Sequence, residues 1–264
     1  MTLDLPALPV AHFRAMPLRS ERDVSIRDVA GIVEGDPGLT AAVIRAANSA
    51  AFAPLSRIGS ANQAIVRIGL ATTQRIVASA AVSRAFQNLY LSGLDPEQLW
   101  SHTVAAAILA DASAVNDPKR SEAFTAGLLL QVGRLALATR QPERYRRVIE
   151  LVGRGLEPLD AETEVYGFDS VEWGVQLTRA WDFPDEVVNA IRDQLVGFGS
   201  PLAPFVHRAR CITRMLGYGD GIEAPAEPTF DPESDDGRIL APLGGENGLR
   251  AQIEWYRGAL AVAA

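Results

Sequence analysis

Cysteine is almost absent from this chain of 264 residues, which contains Cys211 alone. A single cysteine cannot form a disulfide within the chain, so the fold must be held by packing and polar contacts. The apolar fraction of 48% is ordinary for a globular protein and is enough for a sizeable core. Because Cys211 lies in an apolar helical pattern, we expect it to be a small buried hydrophobic residue.

Long hydrophobic runs are also missing. No stretch of about 18 consecutive apolar residues occurs, so the sequence predicts no membrane-spanning helix. The first ten residues, M-T-L-D-L-P-A-L-P-V, have neither the basic start nor the apolar core of a secretory signal peptide. Together with the single cysteine, these features predict a cytoplasmic protein that does not bind membranes.

Lysine is scarce too, since Lys119 is the only lysine among 25 basic residues. No lysine-rich patch or tail is available to bind a phosphate backbone, which argues against nucleic acid as a partner. Acidic residues are concentrated between Gly219 and Gly248, where eight carboxylates and one base, Arg238, give a formal charge of −7. The whole chain carries the same −7. The prolines and glycines of this acidic segment predict a loop.

The remaining sequence predicts an all-α fold of two helical lobes, because cap residues repeatedly precede apolar positions at helical spacing. Gly93 and the Asp95-Pro96 pair mark the expected boundary between the lobes. The predicted organisation is an N-terminal lobe over 1–92, a second lobe over 93–217, the acidic loop over 218–247 and a C-terminal helix over 248–264.

Individual helices are predicted from their caps, their apolar faces and the glycines or prolines that follow them. In chain order they are Pro9–Arg19, Ile26–Glu34, Pro37 to about Asn48, Ala61 to about Gly69, Thr72–Leu89, Pro96–Val115, Ser121–Thr139, Pro142–Gly153, Pro158–Tyr166, Val171–Trp181, Pro184–Leu195, Pro201 or Pro204 to Leu216, and Gly248–Ala261.

The most informative stretch, Asp36–Phe52, reads D-P-G-L-T-A-A-V-I-R-A-A-N-S-A-A-F. Asp36 can cap a helix that begins at Pro37, where the missing N–H costs nothing. Asn48 and Ser49 then end the helix with polar groups that need partners. Asn48 either binds neighbouring backbone and locks the next loop, which we favour, or contacts a partner molecule directly.

Further fragments accompany this stretch, one before it in the chain and six after it. They are G-L-L-L-Q-V-G-R-L at Gly127–Leu135, L-P-A-L-P at Leu5–Pro9, I-G-S-A-N-Q-A-I-V-R-I-G-L at Ile58–Leu70, L-W-S-H at Leu99–His102, A-F-T-A-G-L-L at Ala123–Leu129, E-T-E-V-Y-G-F-D at Glu162–Asp169 and W-D-F-P at Trp181–Pro184. In order and spacing, from about Leu5 to Leu216, the chain resembles the HDOD family, a regulatory branch of the HD-domain superfamily. The residues of the family pattern that we expect to be structural are Asp36, Pro37, Leu39, Asn48, Ser49 and Gly69.

The His-Asp pair that names the superfamily is missing. Family members read roughly G-L-L-H-D-I-G-R-L where this chain has Leu130-Gln131 in place of His-Asp. HD phosphohydrolases use that pair to hold a metal, and a leucine side chain has no ligand atom. The resemblance therefore implies the fold, argues against the metal-dependent hydrolysis of its relatives, and leads us to expect neither a metal nor another cofactor.

Few other ligands of the HD metal site remain. His102 stands where the family pattern places the first metal-binding histidine, Ser170 where many members have another, and Asp193-Gln194 where a His-His pair is common. His102 is either a hydrogen-bonded histidine on a half-buried helix face, which we favour, or part of a ligand pocket. Glu164 either orients His102 or is a surface acid, and we favour the second. The candidate ligand site left by the lost metal centre comprises His102, Gln131, Glu164, Ser170 and Asp193.

Three functions remain open. The resemblance implies a non-catalytic signal-transduction module that binds other signalling proteins. The alternatives are a pseudoenzyme that binds a nucleotide, for example a second messenger, and a divergent metal-dependent phosphohydrolase. No G-x-S-x-G, G-x-G-x-x-G or P-loop pattern points elsewhere. Arg57, Arg67 and Arg75 either form a basic face for an acidic partner or are simply solvated, and the acidic loop is either a docking segment or solvated. The oligomeric state is not predicted.

Overall fold

The computed structural model describes residues 25–52, 57–86, 89–222, 229–231 and 233–260, and these residues contain helices and no β-strand. The all-α prediction is therefore confirmed. The predicted helix Pro9–Arg19 lies outside the described residues. The α-helices are α1 (Ile26–Glu34), α2 (Pro37–Ala47), α3 (Ala61–Ile68), α4 (Leu70–Ala85), α5 (Pro96–Ser113), α6 (Arg120–Leu128), α7 (Val132–Arg140), α8 (Pro142–Val152), α9 (Pro158–Tyr166), α10 (Ser170–Ala180), α11 (Asp185–Arg192), α12 (Ala203–Met215), α13 (Gly237–Leu240) and α14 (Gly245–Leu260).

Local cap chemistry explains where several of these helices begin. The Asp36 side chain accepts hydrogen bonds from the backbone of Gly38 and Leu39 at the start of α2. Asp95 caps α5 in the same way, and Asp169 forms a capping box with Glu172 at the start of α10. Each cap satisfies N–H groups that have no partner inside the helix.

Three predicted helix boundaries are corrected by the structure. The helix expected over Ser121–Thr139 is two helices, α6 and α7, separated by a turn at residues 129–131. The helix expected to reach Leu89 ends at Ala85, and residues Leu89–Ser92 form a short 3₁₀ helix instead. The acidic segment is not one loop, because it contains α13 and the start of α14, which begins at Gly245 rather than at Gly248.

The chain forms two compact units. The first contains α1–α4 together with the part of α14 from Arg250 onward, and the second contains α5–α13 together with the start of α14. Inside the first unit, the Trp255 indole N–H donates to Ser49 Oγ at 2.9 Å, and its ring lies 5.9 Å from that of Phe52. The C-terminal helix thus packs on the end of the D-P-G-L-T…N-S-A-A-F stretch.

The core of the second unit is built on α5. This helix is buried along most of its length, with an alanine-rich sequence from Val104 to Ala112. A Cβ on Gly127 of α6 would lie 2.8 Å from the carbonyl oxygen of Ala106, which shows how closely the two helix backbones approach. Small residues permit this approach, and it fixes the end of α6 against the middle of α5.

No single helix among the described residues is long and apolar enough to cross a membrane. Helices α3 and α4 meet the length and composition criteria only as a pair, and they are bent by 114° at their junction.

Candidate functional site: a buried polar cluster around His102

His102 lies on α5 in the second unit and is 1% exposed, so it is fully buried rather than on the half-buried face that was expected. Its Nδ1 lies 3.0 Å from the Tyr218 carbonyl oxygen. Because a carbonyl oxygen can only accept, Nδ1 must carry the hydrogen and Nε2 must carry the lone pair. That lone pair faces the Gln131 side-chain amide nitrogen at 3.4 Å, which can donate to it. Both ring nitrogens of His102 are therefore satisfied within the protein.

Burial also keeps His102 neutral. It lowers the pKa of the imidazole to about 4, although the Tyr218 carbonyl and the Asp220 carboxylate act in the opposite direction. An imidazole that is uncharged and already bound on both nitrogens is a fixed structural group at neutral pH.

Leu130 and Gln131 lie in the turn between α6 and α7, and both are buried. The glycines on either side explain the tightness of this turn. Gly127 permits close contact with α5, and a Cβ on Gly133 would stand only 1.8 Å from the Ser170 carbonyl oxygen of α10. The turn is thus held between two helices, and the Leu130 side chain is 4% exposed.

Arg134, one helical turn after Gln131, is the centre of a buried ion network. Its Nε donates to Glu162 Oε1 at 2.9 Å, and one of its terminal nitrogens donates to the Asp220 carboxylate. Glu162 is fully buried, and it also accepts the Tyr145 hydroxyl at 2.6 Å and the Ser170 backbone N–H at 2.8 Å. Both Glu162 oxygens are therefore hydrogen-bonded, one of them at the N-terminus of α10, where negative charge is favoured.

Buried charges shift the pKa values of this network. Burial by itself raises the pKa of Asp220, but Arg134 and His102 more than offset this, and the net pKa lies well below its usual range. For Arg134, burial alone would lower the pKa, yet Glu162, Tyr145 and Asp220 raise it well above its ordinary value. Burial raises the pKa of Tyr145. Arg134 and Asp220 are thus charged at neutral pH, and the Tyr145 hydroxyl is a neutral donor.

The segment Tyr218–Ile222 closes the cluster from outside α5 and α7. Besides the Tyr218 carbonyl on His102 and the Asp220 carboxylate on Arg134, the Gly221 carbonyl accepts the Asp95 backbone N–H at 3.0 Å. These three contacts place the start of the acidic segment over the N-terminal half of α5. We call Tyr218–Ile222 the strap.

The other predicted site residues have different positions. Glu164 is exposed on α9. Glu162, on the same helix, is the acid that takes part in the cluster. Ser170 is buried and takes part through its backbone. Asp193 is bound by Arg192, at 2.7 and 3.0 Å, and no hydrogen bond joins it to His102. The structure thus joins His102 to Gln131 and leaves Glu164 and Asp193 outside.

A second polar chain adjoins the turn. The side-chain amide nitrogen of Gln194 lies 3.4 Å from the Leu130 backbone carbonyl oxygen. The backbone carbonyl of Gln194 accepts a hydrogen bond from His207 Nδ1 at 2.9 Å. Cys211 is half-buried rather than buried, with its sulfur 3.6 Å from His207 Nε2. Burial raises the pKa of this thiol, so the thiol is protonated and serves as a weak donor.

These residues do not fit a catalytic metal. Metal sites of this type need several nitrogen and oxygen ligands that converge from different helices. Within the described parts of the chain, no group of three or more histidine, cysteine, aspartate or glutamate side chains is arranged to hold one. The buried Leu130 side chain offers no ligand atom, and the His102 lone pair faces an amide donor.

Sequence reasoning missed the ion network. Arg134 and Glu162 lie in the family fragments G-R-L and E-T-E-V-Y, but the sequence pattern assigns neither residue to the site. The only sign of Arg134 in the sequence is its position three residues after Gln131, near the start of the predicted helical pattern. Asp220 was counted among the loop acids, because its distance in sequence from Arg134 gives no hint of contact.

Comparisons with known proteins agree on the fold. The chain matches the family model of the HDOD domain over residues 5–195. An uncharacterized protein of Treponema pallidum (strain Nichols) is 25% identical over 193 residues, which is 72% of this chain and 37% of that protein. The chain therefore spans little more than a third of the length of this curated relative.

Solved structures resemble nearly the whole chain. A Shewanella amazonensis SB2B protein provisionally described as a phosphohydrolase has a TM-score of 0.70 and 25% identity, with 98% of this chain and 94% of that chain covered. An HDOD domain protein of unknown function from Geobacter sulfurreducens has a TM-score of 0.72, 22% identity and coverages of 98% and 93%, which shows the fold alone. A Marinobacter aquaeolei VT8 protein provisionally described as a signal transduction protein has a TM-score of 0.68, 26% identity and coverages of 98% and 59%.

Proposed function

Because the chain belongs to the HDOD domain family, we propose that it is a regulatory module that acts by binding other signalling proteins and does not hydrolyse phosphate esters. One observation carries the proposal. The histidine at the position of the first HD metal ligand has both ring nitrogens bound by the protein itself, to Tyr218 and to Gln131. The provisional description of one structural relative as a signal transduction protein agrees with it.

Chemistry at this position would require large rearrangement. Metal-assisted hydrolysis needs an open coordination position where a bound water becomes hydroxide near neutral pH. Here the strap covers His102, and the Arg134 guanidinium is occupied by two carboxylates. Polar groups that already bind one another make a rigid support rather than a reaction centre.

A nucleotide ligand, the alternative pseudoenzyme function, would have to enter the same cluster. An incoming phosphate would compete with Glu162 and Asp220 for Arg134, and with Gln131 for His102. Because the Arg134–Glu162 and His102–Gln131 pairs are buried, breaking either of them costs more than breaking a surface contact. Binding of a partner protein at an exposed surface requires no such exchange, and we therefore favour it.

The test measures hydrolysis and partner binding on the same preparation. Purified protein is assayed with Mn²⁺, Fe²⁺ or Mg²⁺ on p-nitrophenyl phosphate and bis-p-nitrophenyl phosphate, beside an active HD phosphohydrolase and the His102→Gln variant. We expect no stoichiometric metal and the same background rate in wild type and variant. Metal-dependent turnover that His102→Gln abolishes would show that the protein is an enzyme.

Partner binding is tested by cross-linking the tagged protein in cells of the organism that encodes it. We expect specific proteins to be retained by the wild type and by His102→Gln alike, because the cluster is structural. Retention of no protein above the level of a tagged, unrelated helical domain would refute the regulatory proposal.

A further inference from the structure

We infer that one surface of the first unit, which we call the α3 groove, is the docking site for an acidic segment with apolar side chains on a partner protein. The inference rests on the proposed function and names the surface and the partner chemistry. The groove is an open cavity of about 570 Å³ between α3 and the residues just before it. Its lining residues are Arg57, Ile58, Asn62, Gln63, Val66 and Arg67.

Helix α3 has two distinct faces, and the groove lies on the outer one. Its inner face consists of buried apolar residues, Ala61, Ala64, Ile65 and Ile68. The outer face repeats at i, i+4 spacing, with Asn62 above Val66 and Gln63 above Arg67, so these four side chains form a continuous surface. Val66 is 73% exposed, the highest value among the large apolar residues of the described chain.

The wall opposite the helix is held by Asn48. Its side-chain amide donates to the Ile58 carbonyl at 2.8 Å, and its side-chain oxygen accepts the Ile58 backbone N–H at 2.8 Å. These two hydrogen bonds fix the backbone of Ile58, which is itself buried. Arg57 therefore extends from a fixed backbone, and the N-S-A motif acquires a role in shaping the groove.

The charges of the groove indicate what it binds. Within the described residues no ion pair involves Arg57 or Arg67, whereas nine other arginines form one. One acid, Glu34, reaches the rim and accepts from Asn62 at 3.3 Å. Two exposed guanidiniums beside an exposed valine complement a partner segment in which carboxylates flank an apolar side chain. The Asn62 and Gln63 side-chain amides can form hydrogen bonds with the backbone of that segment.

Other ligand classes fit less well. A free phosphate needs a converging, desolvated set of donors, and both arginines of the groove are exposed. A nucleic acid needs a longer basic track with aromatic platforms, and the described residues that line the groove include two cations and no aromatic ring. An acidic peptide uses both the charge and the apolar surface.

The first experiment measures peptide binding by fluorescence anisotropy on the full chain. Three labelled peptides of equal length are used: alternating Glu and Leu, alternating Lys and Leu, and alternating Glu and Ser. We expect the Glu/Leu peptide to bind about tenfold or more tightly than the other two, with affinity that falls as salt rises. Equal binding of the Lys/Leu peptide would overturn the inference.

Variants locate the binding. Arg57→Glu and Arg67→Glu are each expected to weaken the Glu/Leu peptide about tenfold or more, and Val66→Ser to weaken it severalfold. Arg27→Glu is the matched control, since Arg27 is an exposed arginine on α1 outside the groove, and it should bind like wild type. All four positions are exposed, so helix content and thermal unfolding should be unchanged. Undiminished binding by both groove variants would overturn the inference.

A polyanion control separates the ligand classes. Inorganic phosphate and a single-stranded oligonucleotide are titrated as competitors at the same ionic strength. We expect neither to displace the peptide at concentrations near its Kd. Tighter binding of the oligonucleotide, lost in Arg57→Glu and Arg67→Glu, would make the groove a nucleic-acid site and would overturn the inference.

Cross-linking distinguishes a failure of the groove from a failure of the proposed function. The partner retained by the wild type should be lost from the double variant Arg57→Glu/Arg67→Glu, and its segment cross-linked to the groove should be acidic. Retention by the double variant would overturn the groove and leave the regulatory proposal standing. Absence of any partner of the wild type would refute both.

Discussion

The tautomer of His102 follows from two neighbours, one of which is distant in sequence. The Tyr218 carbonyl forces the hydrogen onto Nδ1, and the Gln131 amide donates to Nε2. A histidine that would bind a metal through Nε2 must present that lone pair to an open space. In this protein the same atom joins α5 to the turn before α7, so it stabilises the fold.

The pH dependence of stability should reveal this buried histidine. Its pKa is about 4 in the folded protein and about 6.5 when unfolded, so between these values the unfolded chain binds more protons. The stabilisation is therefore complete above pH 6.5 and is lost as pH falls toward 4, by about 3 kcal/mol in total. Urea unfolding across this range measures it.

The His102→Gln variant isolates that contribution. We expect the difference in free energy of unfolding between wild type and variant to shrink steadily as pH falls from 6.5 to 4, because glutamine does not titrate. Asp36, whose pKa is lowered to about 2 chiefly by its bond to Arg84, titrates below this window. A difference that stays constant with pH would mean that the pKa of His102 is the same in the folded and the unfolded chain, so that burial does not lower it.

Removing the cation of the ion network should be far more costly than removing a surface arginine. Arg134→Met leaves the fully buried Glu162 carboxylate without its cation, and we expect a loss of about 3–5 kcal/mol in the free energy of unfolding. Arg146→Met breaks an exposed pair with Glu143 and should cost less than about 1 kcal/mol. Denaturant unfolding of both variants provides the comparison.

A double variant separates the loss of the Arg134–Glu162 attraction from the cost of leaving the Glu162 carboxylate buried without a cation. Arg134→Met/Glu162→Met removes both partners, and we expect it to be more stable than Arg134→Met alone. If the double variant were the less stable of the two, the buried Glu162 carboxyl would be stabilised mainly by its hydrogen bonds with Tyr145 and Ser170 rather than by Arg134.

At the scale of secondary structure, two glycines decide where helices can approach. Gly133 has no room for a Cβ, which would lie 1.8 Å from a backbone oxygen of α10, whereas Gly31 of α1 has nothing within 4 Å. We expect Gly133→Ala to lower the free energy of unfolding by about 3 kcal/mol or more, because backbone must move. Gly31→Ala should raise it by about 0.5–1 kcal/mol.

Thermal unfolding of this pair of variants tests the helix contact directly. Circular dichroism should give similar helix content for Gly31→Ala and wild type, with a higher Tm for the variant. A Gly133→Ala protein as stable as wild type would show that α7 and α10 can separate without penalty.

The break between α6 and α7 illustrates the limit of sequence reasoning at this scale. The pattern from Ser121 to Thr139 has helical spacing throughout and predicts one helix. The chain turns at residues 129–131, and the glycines on either side of the turn lie against different helices, Gly127 against α5 and Gly133 against α10. These contacts are with distant residues, so local spacing does not reveal them. By contrast, Asp36, Asp95 and Ser25 begin their helices where predicted, since a cap binds N–H groups two or three residues away.

For the molecule as a whole, ligand binding should show as a rise in Tm. We expect no change in thermal unfolding with millimolar Mn²⁺, Zn²⁺ or Mg²⁺, or with cyclic and linear second-messenger nucleotides. A ligand at a hundredfold excess over its Kd would add about 2.7 kcal/mol to the free energy of unfolding. A saturable rise that Gln131→Ala removes would establish the cluster around His102 as a ligand site.

The sequence by itself determined the helical class, most helix starts, the family resemblance and the loss of the metal-binding pair, because each depends on residue type and spacing over a few positions. Only the tertiary structure decided that Arg134 binds Glu162 and Asp220, that the strap covers His102, and that Trp255 packs beside Ser49 and Phe52. Those contacts join residues from 28 to 206 positions apart. Local spacing contains no record of such partners, since the packing of whole helices brings them together.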